Sequence, residues 1–594
     1  MDRELKDIIK EAKRDSLESK MKAARHYENT EQYKDAFHWY LDAAEEGQLD
    51  AQVKVGDYYL EGKGVKQDYS KAYTWYMKAY SSNNVEAIAK LAFLYKEGLG
   101  VEKDLNEAFD LYNKAVNEGN TEAKYNLGVM YRKGLVVEKD DEKAYLYFKE
   151  AAEEGNVRAK VNLGFCLANG VGCNVDVGMA ITLYKEAAEE GNALALFNLG
   201  MCYKEGFGVE QNVVKAMECF ENAGSKGHGK SLNVLGEIYE TEAGYRKNIG
   251  FAMDCYKRAI DNGYLESSIR LAEIFFEKNE NKKAMECLNN AIENINVQFA
   301  LGKFYYEGKY IEQNFAKALK LFSEAAKNNH AESQYYMGIA YLEGNGLEKD
   351  EDRAVECLKI AAENNCVEAI MLLANVYEEK GQNECVDLLK KAAELNNSYA
   401  MYKLGYYYSK GKFAEQNSDE AIKWYKKSAE LNNYQAQCNL ALCYLNGKGI
   451  EKNLGFGIYW LERAVENGSV TAMFNLGKCY EDGVGVEENH YFALKNYLRG
   501  ASNGSVEAKL AVARLYKNEY KDYEQALYWL NDLIKEDKDE AYIELADIYI
   551  SGQGIEVNEN MAESFIGRVK NKENSNYSLV YNKIKKYKED KASI

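Results

Sequence analysis

The motif NLGVMYRKG (residues 126–134) returns as NLGFCLANG (162–170) and again as NLGMCYKEG (198–206). Successive copies begin 36 residues apart, and the first is followed by the alanine-rich segment KAYLYFKEAAEEGN. Self-similarity at a fixed period indicates one supersecondary unit per period, which buries its apolar face only against its neighbours. The sequence therefore predicts a repeat architecture.

The repeat can be followed along the chain by its anchor, which we define as the small residue after the apolar residue of each NLG-like segment. Eleven of the fifteen steps between anchors are 36 residues long, and the other four are 30 to 33. Sixteen repeats thus fill nearly all of the 594 residues. The anchors are Ala24, Gly56, Ala92, Gly128, Gly164, Gly200, Gly236, Ala272, Gly302, Gly338, Ala374, Gly405, Ala441, Gly477, Ala513 and Ala546.

Each repeat has the pattern of two helices joined by a glycine-containing loop. Residues 193–205 carry apolar side chains at helical spacing (helix A), and GFGV at 206–209 ends that helix because glycine adopts the left-handed conformation without strain. Asn212 then caps a second helix (helix B). Asp or Asn recurs in this capping slot, and no strand-like alternation intervenes. The slot holds Asp68, Asp104, Asp140, Asn314, Asp350, Asn417, Asn453, Asn489 and Asn558.

This pattern resembles the Sel1-like repeat, a relative of the tetratricopeptide repeat with a longer loop between its helices. LAFLYKEGLGVEKDLNEAFDLYNKAVNEGN (91–120) carries it nearly intact. The resemblance implies an all-α fold, a right-handed superhelix (solenoid) of about 16 helical hairpins. We expect an N-terminal capping helix at 1–22, the solenoid at 23–571, and a C-terminal capping helix with a basic tail at 572–594. The lysines of that tail could alternatively form a docking site.

The charge and hydropathy of the chain restrict its partners. A formal net charge of −19 opposes binding to nucleic-acid phosphates and to anionic membrane surfaces. No apolar run reaches the ~18 residues of a membrane span, and the first residues lack the apolar region of a signal peptide. We therefore expect no nucleic-acid partner, no membrane insertion and a cytoplasmic location.

The tryptophans and cysteines follow the repeat rather than forming clusters. Trp and Cys exchange in one slot of helix B, which predicts a packing position and not an aromatic cage for a ligand. In different repeats this slot holds Trp39, Trp75, Trp424, Trp460, Trp529, Cys219, Cys255, Cys287 or Cys357. No C-x-x-C pair exists among the twelve cysteines. The resemblance implies that secreted, Cys-rich members of the family form disulfides between cysteines eight residues apart within a repeat. This sequence has no two cysteines at that spacing. We expect reduced core thiols.

No constellation typical of catalysis or of cofactor binding appears. His228 and His330 fall in the turn slot that Asn120, Asn156 and Asn192 fill in other repeats, and the remaining histidines are scattered. The Gly-x-Gly segments follow helices, whereas a dinucleotide-binding loop follows a strand. Ser-x-x-Lys occurs at 19–22 and 409–412, but the Ser-Asp-Asn and Lys-Thr-Gly segments that accompany it in penicillin-binding enzymes are missing. The sequence predicts no catalytic residue, no cofactor and no metal site.

The remaining candidate is the surface formed by the helices A. By resemblance to the tetratricopeptide solenoid, helix A lines the concave side, and the slot two before the anchor points into it. We name the asparagines of that slot the asparagine row: Asn126, Asn162 and Asn198 in three successive repeats, and Asn439 and Asn475 in two later ones. Val129, Phe165 and Met201 add an apolar strip beside the first three.

Two interpretations of the asparagine row remain open. The side-chain amides could bind the backbone of an extended peptide, or they could satisfy neighbouring groups of the protein itself. The Lys/Asn arrangement with which some tetratricopeptide domains clamp a terminal carboxylate is not reproduced, so that ligand is not carried over.

The resemblance implies a non-enzymatic scaffold or adaptor that binds protein or peptide partners on the concave face. One alternative is an enzyme or a binder of cell-wall fragments, since some Cys-rich members are described as β-lactam- or peptidoglycan-binding. Another is a structural spacer that assembles with itself, so a homo-oligomer is possible.

Overall fold

The computed structural model of the protein describes residues 16–241 and 247–592, which contain 33 α-helices, numbered here α1 to α33, and no strand. The predicted all-α class is confirmed. Odd numbers from α1 to α31 are the helices A: Leu17–Asn29, Leu49–Glu61, Val85–Glu97, Thr121–Lys133, Val157–Asn169, Ala193–Glu205, Gly229–Glu240, Ser267–Glu277, Ile295–Glu307, Ala331–Glu343, Val367–Glu379, Ser398–Lys410, Tyr434–Asn446, Val470–Asp482, Val506–Leu515 and Asp539–Ser551.

The helices B alternate with them and carry the even numbers α2 to α32. They are Tyr33–Glu45, Tyr69–Tyr80, Leu105–Asn117, Asp141–Glu153, Val177–Glu189, Val213–Ser225, Ile249–Asp261, Asn281–Asn290, Phe315–Ala326, Glu351–Glu363, Glu384–Glu394, Ser418–Glu430, Leu454–Glu466, His490–Ser502, Tyr523–Leu533 and Glu559–Ile566. A last helix, α33, spans Ser575–Ala592. The sixteen predicted hairpins are therefore present.

The chain divides into two compact units, Met1–Val297 and Gln298–Ile594. Inside each unit a helix packs mainly on the helix before it and the helix after it. The core of each unit is accordingly a series of small apolar clusters, one for every one or two repeats, as expected for a repeat protein.

The anchors are the points at which helix A and helix B of one repeat approach most closely. A Cβ atom added to an anchor glycine would lie within 2.8 Å of the helix-B side chain twenty residues later. That side chain is a buried ring in most repeats, for example Phe220 opposite Gly200. The pairs are Gly56 with Tyr76, Gly128 with Phe148, Gly164 with Tyr184, Gly200 with Phe220, Gly236 with Tyr256, Gly302 with Phe322, Gly338 with Leu358, Gly405 with Tyr425 and Gly477 with Tyr497.

Two hydrogen bonds fix the loop between the helices. In the repeat anchored at Gly200, Asn212 accepts from the backbone N–H of Lys215 through its side chain, at 3.0 Å. Its own backbone N–H donates to the carbonyl of Tyr203, at 2.8 Å, and so closes the loop. All of the predicted Asp and Asn caps accept in the same way, so these predictions are confirmed.

His228 and His330 lie at the starts of helices A, as their slot predicts. His330 Nδ1 accepts from the N–H of Ser333 at 3.2 Å and so caps α19. His228 Nδ1 lies 2.7 Å from Ser231 Oγ. Burial lowers the pKa of both imidazoles, which keeps them neutral and able to accept.

The tryptophans take up packing positions, as their slot predicts. Trp75 is buried and the other four rings are half-buried, each against an apolar cluster.

The two ends of the chain are described to different extents. The capping helix predicted for 1–22 lies, as far as residue 15, outside the described residues, and α1 runs from Leu17 across residue 22. At the other end α33 buries Val580 and Ile584 against the last repeat. Lys583 of this helix pairs with Asp547 at 2.6 Å, and Lys588 pairs with Glu563. Among the described residues no helix combines the length and the hydropathy needed to cross a membrane.

Candidate partner-binding surface

The first three members of the asparagine row lie on α7, α9 and α11. Each of these helices starts at an asparagine cap, Asn120, Asn156 or Asn192, whose side chain accepts from the backbone N–H three residues on. Each ends at a glycine in the left-handed conformation. The same caps start and end these helices at equivalent residues, so the three asparagines occupy equivalent positions along their helices.

Asn126 is buried, with 6% of its surface exposed, and its side chain is fully engaged. Its Nδ2 donates to the carbonyl of Glu122 at 2.9 Å and to Glu122 Oε1 at 3.1 Å. Its Oδ1 accepts from Lys96 Nζ at 3.3 Å. At this position the interpretation that asparagine satisfies groups of the protein itself is the better description.

Asn162 repeats part of this arrangement, and Asn198 does not. Asn162 Nδ2 donates to the carbonyl of Arg158 at 3.0 Å, and Oδ1 accepts from Arg132 Nη1 at 3.0 Å. Asn198 is half-buried and has no side-chain hydrogen bond among the described residues. The sequence explains the missing contact to Oδ1. The cation comes from the residue four after the anchor of the preceding repeat, which is Lys96 for Asn126 and Arg132 for Asn162, but Ala168 for Asn198.

The apolar strip is half-buried along its length. Val129 packs against the cluster of the following repeat, and Met201 against the cluster around Phe220. Phe165 carries the Arg132 guanidinium 4.3 Å from its ring centroid, so one cation covers this ring and also bonds Asn162. Apolar rings and charged groups therefore alternate on this surface.

Two neighbouring depressions open on this face of the first unit. The larger, about 640 Å³, is lined by Asn126 and Val129 together with Lys90, Lys96, Phe93, Glu86 and Glu122. The smaller, about 410 Å³, is lined by Asn162, Asn192, Leu194 and His228. Tyr125 and Arg158 line both depressions.

Arg158 forms the divide between the two depressions. Its guanidinium lies 4.8 Å from the ring centroid of Tyr125 and pairs with Glu122, while more than half of its side chain is exposed. Sequence reasoning did not single out Arg158, Tyr125, Lys96 or Arg132. The sequence did contain a signal for two of them, because Lys96 and Arg132 are cations at the same position, four residues after successive anchors.

The two later members of the row lie in the second unit, on α25 and α27. Asn439 Nδ2 donates to Tyr425 Oη at 3.3 Å and lines a separate cavity of about 330 Å³. Asn475 Nδ2 lies 3.8 Å from Cys438 Sγ. These two therefore belong to a different compact unit from the first three.

The groups most often used in catalysis are dispersed. Within the described residues no three His, Cys, Asp or Glu side chains group to hold a metal ion. All twelve cysteines are free thiols, and burial raises the pKa of those for which a shift is resolved, to about 11 for Cys166. A raised thiol pKa leaves little reactive thiolate at neutral pH.

Repeated two-helix hairpins with capped loops define an α-helical repeat protein of the solenoid class. A model of the Sel1 repeat matches most of the chain, so the protein belongs to the Sel1 repeat family. The matched residues are 29–48, 49–84, 85–120, 121–156, 157–192, 193–228, 229–264, 295–330, 331–366, 368–397, 398–433, 435–469, 470–505, 507–531 and 539–565. The hairpin α15–α16 lies between two matched segments; its loop is only residues 278–280.

Solved structures with similar chains include a protective antigen of uropathogenic Escherichia coli strains that displays an SLR fold. It is 23% identical, with 84% of this chain and 97% of that chain covered and a TM-score of 0.35. A Sel1 repeat protein from Oxalobacter formigenes is 29% identical over 41% of this chain and 99% of its own, with a TM-score of 0.38. Yeast Tom70 is 15% identical over 84% and 99%, with a TM-score of 0.29. No curated protein matches the chain significantly.

Proposed function

We infer that the protein is a non-enzymatic scaffold that holds a peptide segment of a protein partner on the helix-A face of its first unit, between residues 126 and 201. Repeats of the Sel1 and tetratricopeptide type generally mediate protein–protein interaction. By analogy with the tetratricopeptide solenoid this is the concave face. The observation that carries the proposal is the pair of depressions joined at Arg158, each of which has a member of the asparagine row in its lining.

The surface offers the contacts that an extended peptide uses. Asn198 has an unengaged amide that can donate to and accept from a peptide backbone, and Met201 lies beside it. The two depressions accept side chains, and Arg158 with Glu122 supplies groups of both signs at their divide. Because helices and caps fix these groups before binding, little ordering entropy is lost on association.

The cellular setting is part of the same proposal. Twelve free thiols suit a reducing compartment, which favours a cytoplasmic location. The net charge of −19 disfavours nucleic acid as a partner. A second copy of the chain is the alternative partner, and light scattering over a range of concentrations would identify it.

Site-specific photocrosslinking tests the face that is used. A photoreactive phenylalanine analogue is placed at Met201, and at Tyr528 on helix B as a matched control, since the Tyr528 ring is 64% exposed. We expect partner crosslinks at 201 and not at 528. Arg158→Ala and Asn198→Ala should each reduce the crosslink several-fold, with unchanged helicity by circular dichroism.

Asn126→Ala is not a suitable test of binding, because that side chain is bonded within the fold and its removal would change stability. Asn475→Ala in the second unit serves as the asparagine control. Full crosslinking by the Arg158 and Asn198 variants, or crosslinks found mainly at 528, would show that the partner binds elsewhere.

A further inference from the structure

Several repeats share a hydrogen bond between a buried helix-B tyrosine and a glutamate four residues after the anchor. Tyr40 Oη donates to Glu28 Oε2 at 2.7 Å, and Tyr497 Oη donates to Glu481 Oε2 at 2.6 Å. Tyr256 does the same with Glu240 at 3.1 Å. In these repeats a carboxylate of the protein itself satisfies the ring hydroxyl through a charge-assisted bond.

The repeat anchored at Gly405 has the tyrosine without the carboxylate. The slot four after its anchor is Ser409, whose hydroxyl donates to the carbonyl of Tyr406 at 2.8 Å. Tyr425 Oη therefore has only two long contacts, 3.3 Å to Ser409 Oγ and 3.3 Å from Asn439 Nδ2. Burial raises the pKa of Tyr425 to about 12, so its hydroxyl stays protonated and can donate at neutral pH.

A cavity of about 330 Å³ opens where the missing glutamate would extend. Ser409, Tyr425 and Asn439 line it together with apolar Ile422 and Leu442. This volume is at the lower end for ligand sites, which suits one side-chain group rather than a whole cofactor.

The charge of the cavity is opposite to that of the chain. Lys410 and Lys448 are exposed and line it, and neither has an ion-pair partner among the described residues. None of the lining residues is an aspartate or a glutamate. In a protein of net charge −19, such a site attracts an anion locally.

We propose that this cavity binds the carboxylate of a glutamate side chain from a bound peptide, in the place that Glu481 and Glu240 fill in their own repeats. Tyr425 and Asn439 donate hydrogen bonds to the carboxylate oxygens, and Lys410 and Lys448 supply positive charge at the mouth. The assignment rests on the proposed function in one respect, that the carboxylate belongs to a peptide. The cavity belongs to the second unit, whereas Arg158 and Asn198 belong to the first.

The test uses the full chain and synthetic probes, with binding measured by saturation-transfer NMR. The probes are acetyl-Gly-Gly-Glu-Gly-Gly-amide, the same peptide with Gln in place of Glu, and free glutarate. We expect the Glu peptide to bind about tenfold more tightly than the Gln peptide, because hydrogen bonds to a charged group are the stronger ones. Glutarate should bind more weakly than the Glu peptide.

Three variants test the hydrogen-bond donor, the space in the cavity and the positive charge at its mouth, and a fourth is the control. Tyr425→Phe should weaken binding of the Glu peptide by about tenfold. This variant should fold normally, since Phe148, Phe220 and Phe322 fill the same slot in other repeats. Ser409→Glu should abolish binding and raise the melting temperature, because it restores the internal carboxylate seen at Glu481. Lys410→Gln with Lys448→Gln should weaken binding, whereas the exposed Lys359→Gln should not.

Equal binding of the Glu and Gln peptides, or unchanged binding by Tyr425→Phe, would overturn the assignment. Binding of glutarate as tight as that of the Glu peptide would assign the cavity to a free small anion and so overturn the peptide source. Each of these results is independent of partner capture on the first unit, since Arg158→Ala and Asn198→Ala should leave probe binding intact.

Discussion

The capping slot at the start of helix A is filled by Asn, Ser or His in different repeats, and the residue chosen affects how stability depends on pH. Asn397 and Ser469 cap their helices through uncharged side chains. His330 caps through Nδ1, which can accept only while that nitrogen is unprotonated. The ring centroids of Phe299 and His330 lie 4.8 Å apart. Burial lowers the pKa of His330, although the nearby Glu332 carboxylate acts to raise it.

We predict that His330→Asn reduces the loss of stability between pH 7 and pH 5. The pKa of His330 is lowered in the folded state, so the unfolded chain takes up the proton first, near its ordinary pKa of about 6.5. Stability is therefore fully present above that value and decreases as the pH falls toward the folded-state pKa. Melting temperatures of both proteins at pH 7 and pH 5 check this. An equal decrease in the two proteins would contradict it.

The sequence predicted the slot of the asparagine row, but the bonding of these side chains could not be predicted from it. Asn126 and Asn162 receive their cations from the preceding helix A, thirty residues earlier in each case. Such a contact depends on how consecutive hairpins stack, which a one-dimensional pattern leaves open. Asn198 lacks such a cation because Ala168 stands in the equivalent position.

At the scale of elements, caps and glycines were readable from the sequence because each follows from local backbone chemistry. Helix ends need acceptors for N–H groups and residues that tolerate positive φ, and few residue types meet these needs. The role of α33 was less readable. Its sequence YSLVYNKIKKYKED mixes apolar and charged residues, and only packing shows that Val580 and Ile584 face the last repeat while Leu579 is 59% exposed.

We predict that Ile584→Ala destabilises the last repeat by about 2–4 kcal/mol, because it removes a buried side chain that the neighbouring helices cannot fully replace. Leu579→Ala on the same helix should change stability by no more than about 0.5 kcal/mol. Urea unfolding measures both in a background that keeps Trp529 and has Phe at the other four tryptophan positions, since the Trp529 ring packs in the same cluster. Similar losses in the two variants would show that α33 does not cap the repeat through its buried face.

At the scale of the whole molecule, stability is distributed over interfaces between neighbouring hairpins. Each helix packs mainly on the one before and the one after it, so a local defect has few direct contacts through which to spread. The 36-residue period was sufficient to predict this organisation. The division at Val297 into two compact units was not predictable, because it lies inside α17, whose sequence reads as one continuous helix A.

We predict that Gly164→Ala lowers stability locally by about 1 kcal/mol. The new Cβ would meet the Tyr184 ring at 2.7 Å, an overpacking cost of about 1–3 kcal/mol, partly offset by about 1 kcal/mol of helix propensity. Hydrogen exchange should accelerate in the repeats next to Gly164 and stay unchanged beyond Gln298. Gly178→Ala in the same repeat, where the nearest atom to the new Cβ is 3.6 Å away, should not accelerate exchange. Uniform acceleration along the chain would indicate a globally cooperative fold instead.

The hydrogen bond from the capping residue to the tyrosine carbonyl has an engineering consequence. It fastens most of the hairpins with a long loop at the base of that loop, as where the Asn489 N–H donates to the Tyr480 carbonyl at 2.8 Å. Val486 of this loop packs on the preceding repeat, so a foreign sequence spliced after it, between Glu487 and Glu488, would project from a base that is already closed. The loops should therefore accept epitope tags or sensor peptides, displayed at regular intervals, without altering the hairpins that carry them.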